Sequence, residues 1–158
     1  MMALVHSLLT QRISEECREM EQTVSALNDR RQQYIDEALL LPHFGELVRL
    51  SQESSSLADR SELFPNHQEK RIVAFVTTFN GEWRRQMETM SSSCMAAFSN
   101  FKCGALILQA ALTQLIQHYH QVQKMLIQTP WFKQHPVKSN LVNIHNIMVE
   151  AKKFKQTY

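Results

Sequence analysis

Residues 105–126 read ALILQAALTQLIQHYHQVQKML. Within them Ala105, Leu108, Leu112, Leu115, Tyr119, Val122 and Leu126 follow one another at steps of three and four, the spacing that stacks side chains on one face of an α-helix. A surface helix carries charge on its outer face, yet from Thr89 to Gln123 the single charged residue is Lys102. The helical segments of this stretch are therefore expected at the centre of a bundle, or on a face covered by a partner protein. The charge-free run from Cys103 to Gln123 is long enough to cross a bilayer. Its Gln109, Thr113, Gln114, Gln117, His118, His120, Gln121 and Gln123 would each need a hydrogen-bond partner in hydrocarbon, which argues against a membrane span.

Working outward, Thr129-Pro130 stops this helix, and Ser99-Asn100 separates it from a preceding one with the stripe Ile72, Val76, Phe79, Trp83, Met87, Met90, Cys94 and Phe98. Gly81 inside that stripe is expected to mark a close helix contact or a bend. A turn with Trp131, Phe132 and Pro136 leads to a last helix on Val137, Leu141, Ile144, Met148 and Ala151. Towards the amino terminus, Ile13, Cys17, Met20, Val24, Leu27, Arg31, Tyr34, Ala38 and Leu41 alternate steps of four and three, a heptad seam. Arg31 on that seam must reach outward or meet a carboxylate. Leu41-Pro42 is expected to end the long helix, since the residue before proline is pushed out of the helical region. A short helix on Phe44, Leu47, Val48 and Leu50 should then fade in Ser51–Ser56, whose hydroxyls compete for backbone bonds.

The 158 residues contain only 3 Gly and 4 Pro, against 17 Leu, 15 Gln and 8 Met. Turns are few and helix formers abundant. The fold class is all-α, an elongated antiparallel bundle of four to five helices with short loops. Residues 1–41 form the heptad-patterned helix, 42–66 a short helix and loose connector, and 67–158 a helical bundle with a basic tail, all in one folded domain.

Net charge is +2, but residues 1–66 carry −5 and residues 67–158 carry +7. A basic half can steer an acidic partner or an anionic membrane. Glycines at 45, 81 and 104 make no phosphate loop. His118 and His120, two apart on a helix, point in different directions and cannot share one metal. Cys17, Cys94 and Cys103 have no zinc or disulfide spacing, which favours the cytosol. Basic residues are not interleaved with exposed aromatics, so nucleic acid is not an expected partner. No cofactor, metal or catalytic residue is expected, and a binding or scaffold module is left.

Three segments carry more than periodicity: LLPHFGELVRL (40–50), FNGEWRRQMETMSSSCMAAFSNFKCGALILQAALTQLIQHYHQV (79–122) and LVNIHNIMVEAKKF (141–154). They resemble the carboxy-terminal part of the vacuolar protein sorting-associated protein 52 family, subunits of the Golgi-associated retrograde protein and endosome-associated recycling protein tethering complexes. The resemblance covers residues 35 to 158. It implies the helical-rod fold of tethering complexes (CATCHR-like) and a non-enzymatic role in endosome-to-trans-Golgi retrograde transport. Other tethering subunits, Golgi Rab GTPases and SNARE proteins are the implied partners, with peripheral association at trans-Golgi and endosome membranes. The basic second half, the charge-poor hairpin and the resemblance all concentrate after residue 67, so the partner surface is placed on Arg84, Arg85, Gln117, Lys124, Lys152 and Lys153. Alternatives are a free-standing module that binds anionic lipid through the basic half, and a coiled-coil scaffold that self-associates through the first helix.

Overall fold

The computed structural model describes residues 2–155, and all regular structure among them is helical. The chain divides into two compact units, one ending at Tyr34 and one starting at Ile35. The first is a single helix, α1 (Met2–Tyr34), with no buried residue. Its seam residues Ile13, Met20, Val24 and Leu27 are all exposed.

The second unit is built from α2 (Leu41–Asp59), α3 (Glu69–Ala97), α4 (Phe101–Gln128), the single turn α5 (Pro130–Lys133) and α6 (Ile144–Lys155). Helix α4 is its hub and packs against α2, α3 and α6. Every residue of the α4 stripe from Ala105 to Leu126 is buried, as is the α3 stripe from Ile72 to Cys94, whereas Phe98, expected to continue it, caps the end of α3 and is half-buried. The charge-poor stretch thus contributes one face to the core, while its other face, with Thr113, Gln117 and His120, is exposed. Its outer end keeps Phe101 and Leu106 exposed. Phe79 stacks on Tyr119 at 5.0 Å between ring centroids. The Tyr119 hydroxyl donates to the Val142 carbonyl, tying α4 to the segment before α6, and burial pushes its pKa up.

The break at Ser99-Asn100 is present: the Asn100 side chain accepts from the Cys103 amide at 3.2 Å and caps α4. Gly104 permits the close return of the hairpin, since a Cβ there would lie 3.3 Å from Met95 Sδ. Gly81 has no such role, because a Cβ there would meet nothing within 4 Å. The last stripe is also corrected. Ile147 is fully buried while Met148 is 42 % exposed, and Val137 lies in a 3-10 turn, Pro136–Asn140, ahead of the helix. The tail residues 156–158 lie outside the described residues.

Two expected stops do not stop the chain. Leu41-Pro42 follows a π-helical turn, Ile35–Leu40, and Pro42 falls in the first turn of α2, where a missing N–H is tolerated. The serines at 51 to 56 all lie within α2. Ser54 is buried and its hydroxyl bonds back to the Leu50 carbonyl at 2.8 Å, so tertiary burial overrides local competition. The helix ends instead at Asp59 through a Schellman turn: the Glu62 amide reaches the Leu57 carbonyl at 2.8 Å and Ser61 takes φ 56°.

Candidate docking surfaces

The sequence placed a partner surface on six polar residues. All six are exposed, and they are not alike electrostatically. Arg84 lies over the Trp83 ring, 4.5 Å from its centroid, and 4.0 Å from a Glu150 carboxylate oxygen. Lys153 approaches the same oxygen at 3.1 Å, so α3 and α6 share one anion. Arg85 is bonded to Glu82 one turn earlier. Gln117 and Lys124, seven apart on α4, and Lys152 on α6 stand exposed. Part of the positive charge expected to attract an acidic partner is thus already neutralised within the fold.

A feature not read from the sequence is an apolar groove between α2 and α3 with a volume of about 340 Å³. Phe44, Leu47, Phe75, Phe79 and Trp83 form its apolar lining, and His43, Glu46, Arg71, Glu82 and Gln86 its polar part. The local fold makes this space. Phe44 has φ −134° and ψ 35°, a non-helical geometry within α2 two residues after Pro42. The bend places Phe44 6.3 Å from Phe79, centroid to centroid.

One wall is held by Arg71, whose Nε donates to Glu46 at 2.6 Å and whose Nη1 donates to both Glu53 oxygens at 2.8 and 2.6 Å. Burial works against the guanidinium charge, but the two carboxylates prevail and raise its pKa. Glu46 and Glu53 are seven apart, two turns on one face of α2, and that spacing was the available signal for a bridging cation. His43 is pushed below the ordinary histidine value by burial, against a bond to Gln86, and so stays neutral near pH 7. Between α2 and α4, His118 Nδ1 sits 2.8 Å from Ser51 Oγ. Burial lowers its pKa too, opposed by the charge of Asp36.

An apolar floor with ion-paired, satisfied polar groups around it suits the capture of an apolar side chain. Cys94 is no poised nucleophile: burial raises its pKa, and its thiol faces the Gly104 carbonyl at 3.5 Å. No group of three His, Cys, Asp or Glu among the described residues could hold a metal ion, and no described helix is long and apolar enough to cross a membrane.

Sequence relatives are informative. The human and rat proteins named vacuolar protein sorting-associated protein 52 homolog are each 37 % identical to it over 152 residues, 96 % of the chain. The chain belongs to the vacuolar protein sorting-associated protein 52 family. Similarity extends to the homolog of Caenorhabditis elegans, 34 % identical over 77 % of the chain, and to protein 52 A of Arabidopsis thaliana, 32 % identical over 77 %. The chain spans about a fifth of the length of these relatives, 21 % of the mammalian proteins and 17 % of the other two. No family model matches it, and no solved structure does.

Proposed function

We propose that the chain is a non-enzymatic docking segment of a vesicle-tethering assembly in endosome-to-trans-Golgi retrograde transport. It acts by binding other tethering subunits, with a Golgi Rab GTPase or SNARE protein as further partners, and reaches the membrane through them. The observation that carries this reading is 37 % identity to vacuolar protein sorting-associated protein 52 homologs along 96 % of the chain. The fold supports this reading: the all-helical unit carries an apolar groove rimmed by ion-paired polar groups, a shape suited to binding. The docking surface is assigned to the α2–α3 groove together with the exposed residues Arg84, Arg85, Gln117, Lys124, Lys152 and Lys153.

The test is co-purification of the tagged chain with the remaining tethering subunits from cells, beside a variant in which Ala74→Trp fills the groove. Recovery by the parent chain and loss by the variant, with an unchanged melting curve, supports the reading. Failure of the parent to recover any tethering subunit refutes it. Flotation with anionic liposomes in the absence of protein partners would replace it with the lipid-binding alternative.

A further inference from the structure

Helix α1 is 33 residues long and none of them is buried. A helix in water draws most of its stability from packing an apolar face, and this one carries such a face without a partner: Ile13, Met20, Val24 and Leu27 are 59, 68, 56 and 60 % exposed and Cys17 is exposed beside them. With Ile13, Met20 and Leu27 at heptad position d, and Cys17, Val24 and Arg31 at position a, the flanking charged residues are Glu16 and Arg30 at g and Glu21 at e.

We propose that α1 pairs with α1 of a second copy of this chain, antiparallel, with Met20 of one copy level with Val24 of the other. Charge selects this arrangement. A parallel in-register pair sets Arg31 against Arg31 inside the seam, and faces Glu16 with Glu21 of the other copy on both flanks. In the antiparallel pair g positions face g positions. Cys17 then lies level with Leu27, and Ile13 with Arg31. Glu16 of one copy stands two residues along the axis from Arg30 of the other and three from Arg31, about 3 and 4.5 Å at a rise of about 1.5 Å per residue. Both arginines meet a carboxylate, twice over by symmetry. Within one chain Glu16 has only a 3.8 Å approach to Arg12, and Arg31 bonds to neutral Asn28. The one like-charge approach among these flanking residues is Glu21 with its own copy across the dyad. A charged residue at an a position fixes register at some cost in affinity, so the pair is specific and reversible. This pairing is independent of the tethering role proposed above.

The experiment uses the full chain. Light scattering at tens of micromolar should give twice 18.4 kDa, and Arg30→Glu with Arg31→Glu should weaken the dimer about tenfold or more. Adding Glu16→Arg to that variant should restore it. For direction, Cys103→Ser leaves Cys17 as the exposed thiol. In the antiparallel pair the two Cys17 residues are about 15 Å apart along the axis, beyond the roughly 7 Å that a disulfide can bridge. Oxidation should therefore not link this variant, whereas adding Leu27→Cys should give a covalent dimer. A chain that stays monomeric, or a Cys103→Ser variant that links through Cys17, overturns the proposal. Tryptophan fluorescence of Trp83 and Trp131, both outside α1, checks that each variant remains folded.

Discussion

Replacing Leu112 by Ala should destabilise the second unit by about 4 kcal/mol. Leu112 is 4 % exposed on α4, the helix against which α2, α3 and α6 all pack. Losing three buried carbons removes about 2.4 kcal/mol of transfer free energy at about 0.8 kcal/mol per carbon. A residual cavity of roughly 60 Å³ adds about 1.4 kcal/mol at about 24 cal/mol per Å³. The control is Leu106→Ala on the same helix, where the side chain is 62 % exposed. The two variants share any change in helix propensity, so their difference isolates burial. Urea unfolding followed by tryptophan fluorescence suits the question, since Trp83 and Trp131 both belong to the second unit and α1 contributes nothing to the signal. The Leu112→Ala midpoint should fall with an unchanged slope. A loss below about 0.5 kcal/mol, as for a surface change, would show that the α4 stripe is not enclosed and would refute its reading as core.

Three further outcomes are expected. Ser61→Gly should raise stability by up to about 1 kcal/mol, because Ser61 holds φ 56°, where a Cβ is costly, as a thermal melt would record. Both His43 and His118 have folded-state pKa values below the unfolded one, so the unfolded chain binds more protons near and below pH 6.5. Stability is then full above about pH 6.5 and falls on acidification, and His118→Gln should flatten urea midpoints measured between pH 7 and 5. Lys124→Glu with Lys152→Glu, both exposed, should change stability by less than about 0.5 kcal/mol while weakening capture of tethering subunits, most at low salt.

The parts of the fold legible in the sequence are those set by helical period in long segments. The α4 stripe, and the α3 stripe from Ile72 to Cys94, are buried position for position because each helix has one broad apolar face; Phe98 falls past the end of α3 and is half-buried. The α6 stripe was misread for the opposite reason. Ile144, Ile147, Met148 and Ala151 offer two overlapping three-four series, and only packing against α4 chooses Ile147 over Met148. Of the candidate surface, exposure of the basic residues was legible. Their pairing was not, because Glu150 lies sixty-six residues from Arg84 and no local pattern announces that they meet.

The groove shows most plainly where local rules yield. Pro42 stands in the first turn of α2, where its missing N–H is tolerated, but with helical turns on both sides its ring still crowds the carbonyl four residues back. At Pro42 that carbonyl belongs to Ala38, inside the turn that widens to π geometry, and Phe44 leaves the helical region just after. Read alone, these residues ask for a stop. Against the stop stands the burial of Ile35, Leu39 and Leu40, each at most 1 % exposed, at about 1.5 to 3 kcal/mol apiece. Three such side chains outweigh the proline, so the chain remains helical and takes up the strain as a widened turn and a bend. The bend turns Phe44 toward Phe79 and leaves the space between α2 and α3 open. Departures from regular geometry that a fold retains at the expense of local stability tend to lie where the molecule acts. Here the departures run from Ile35 to Phe44, and His43 and Phe44 at their end are also lining residues of the groove.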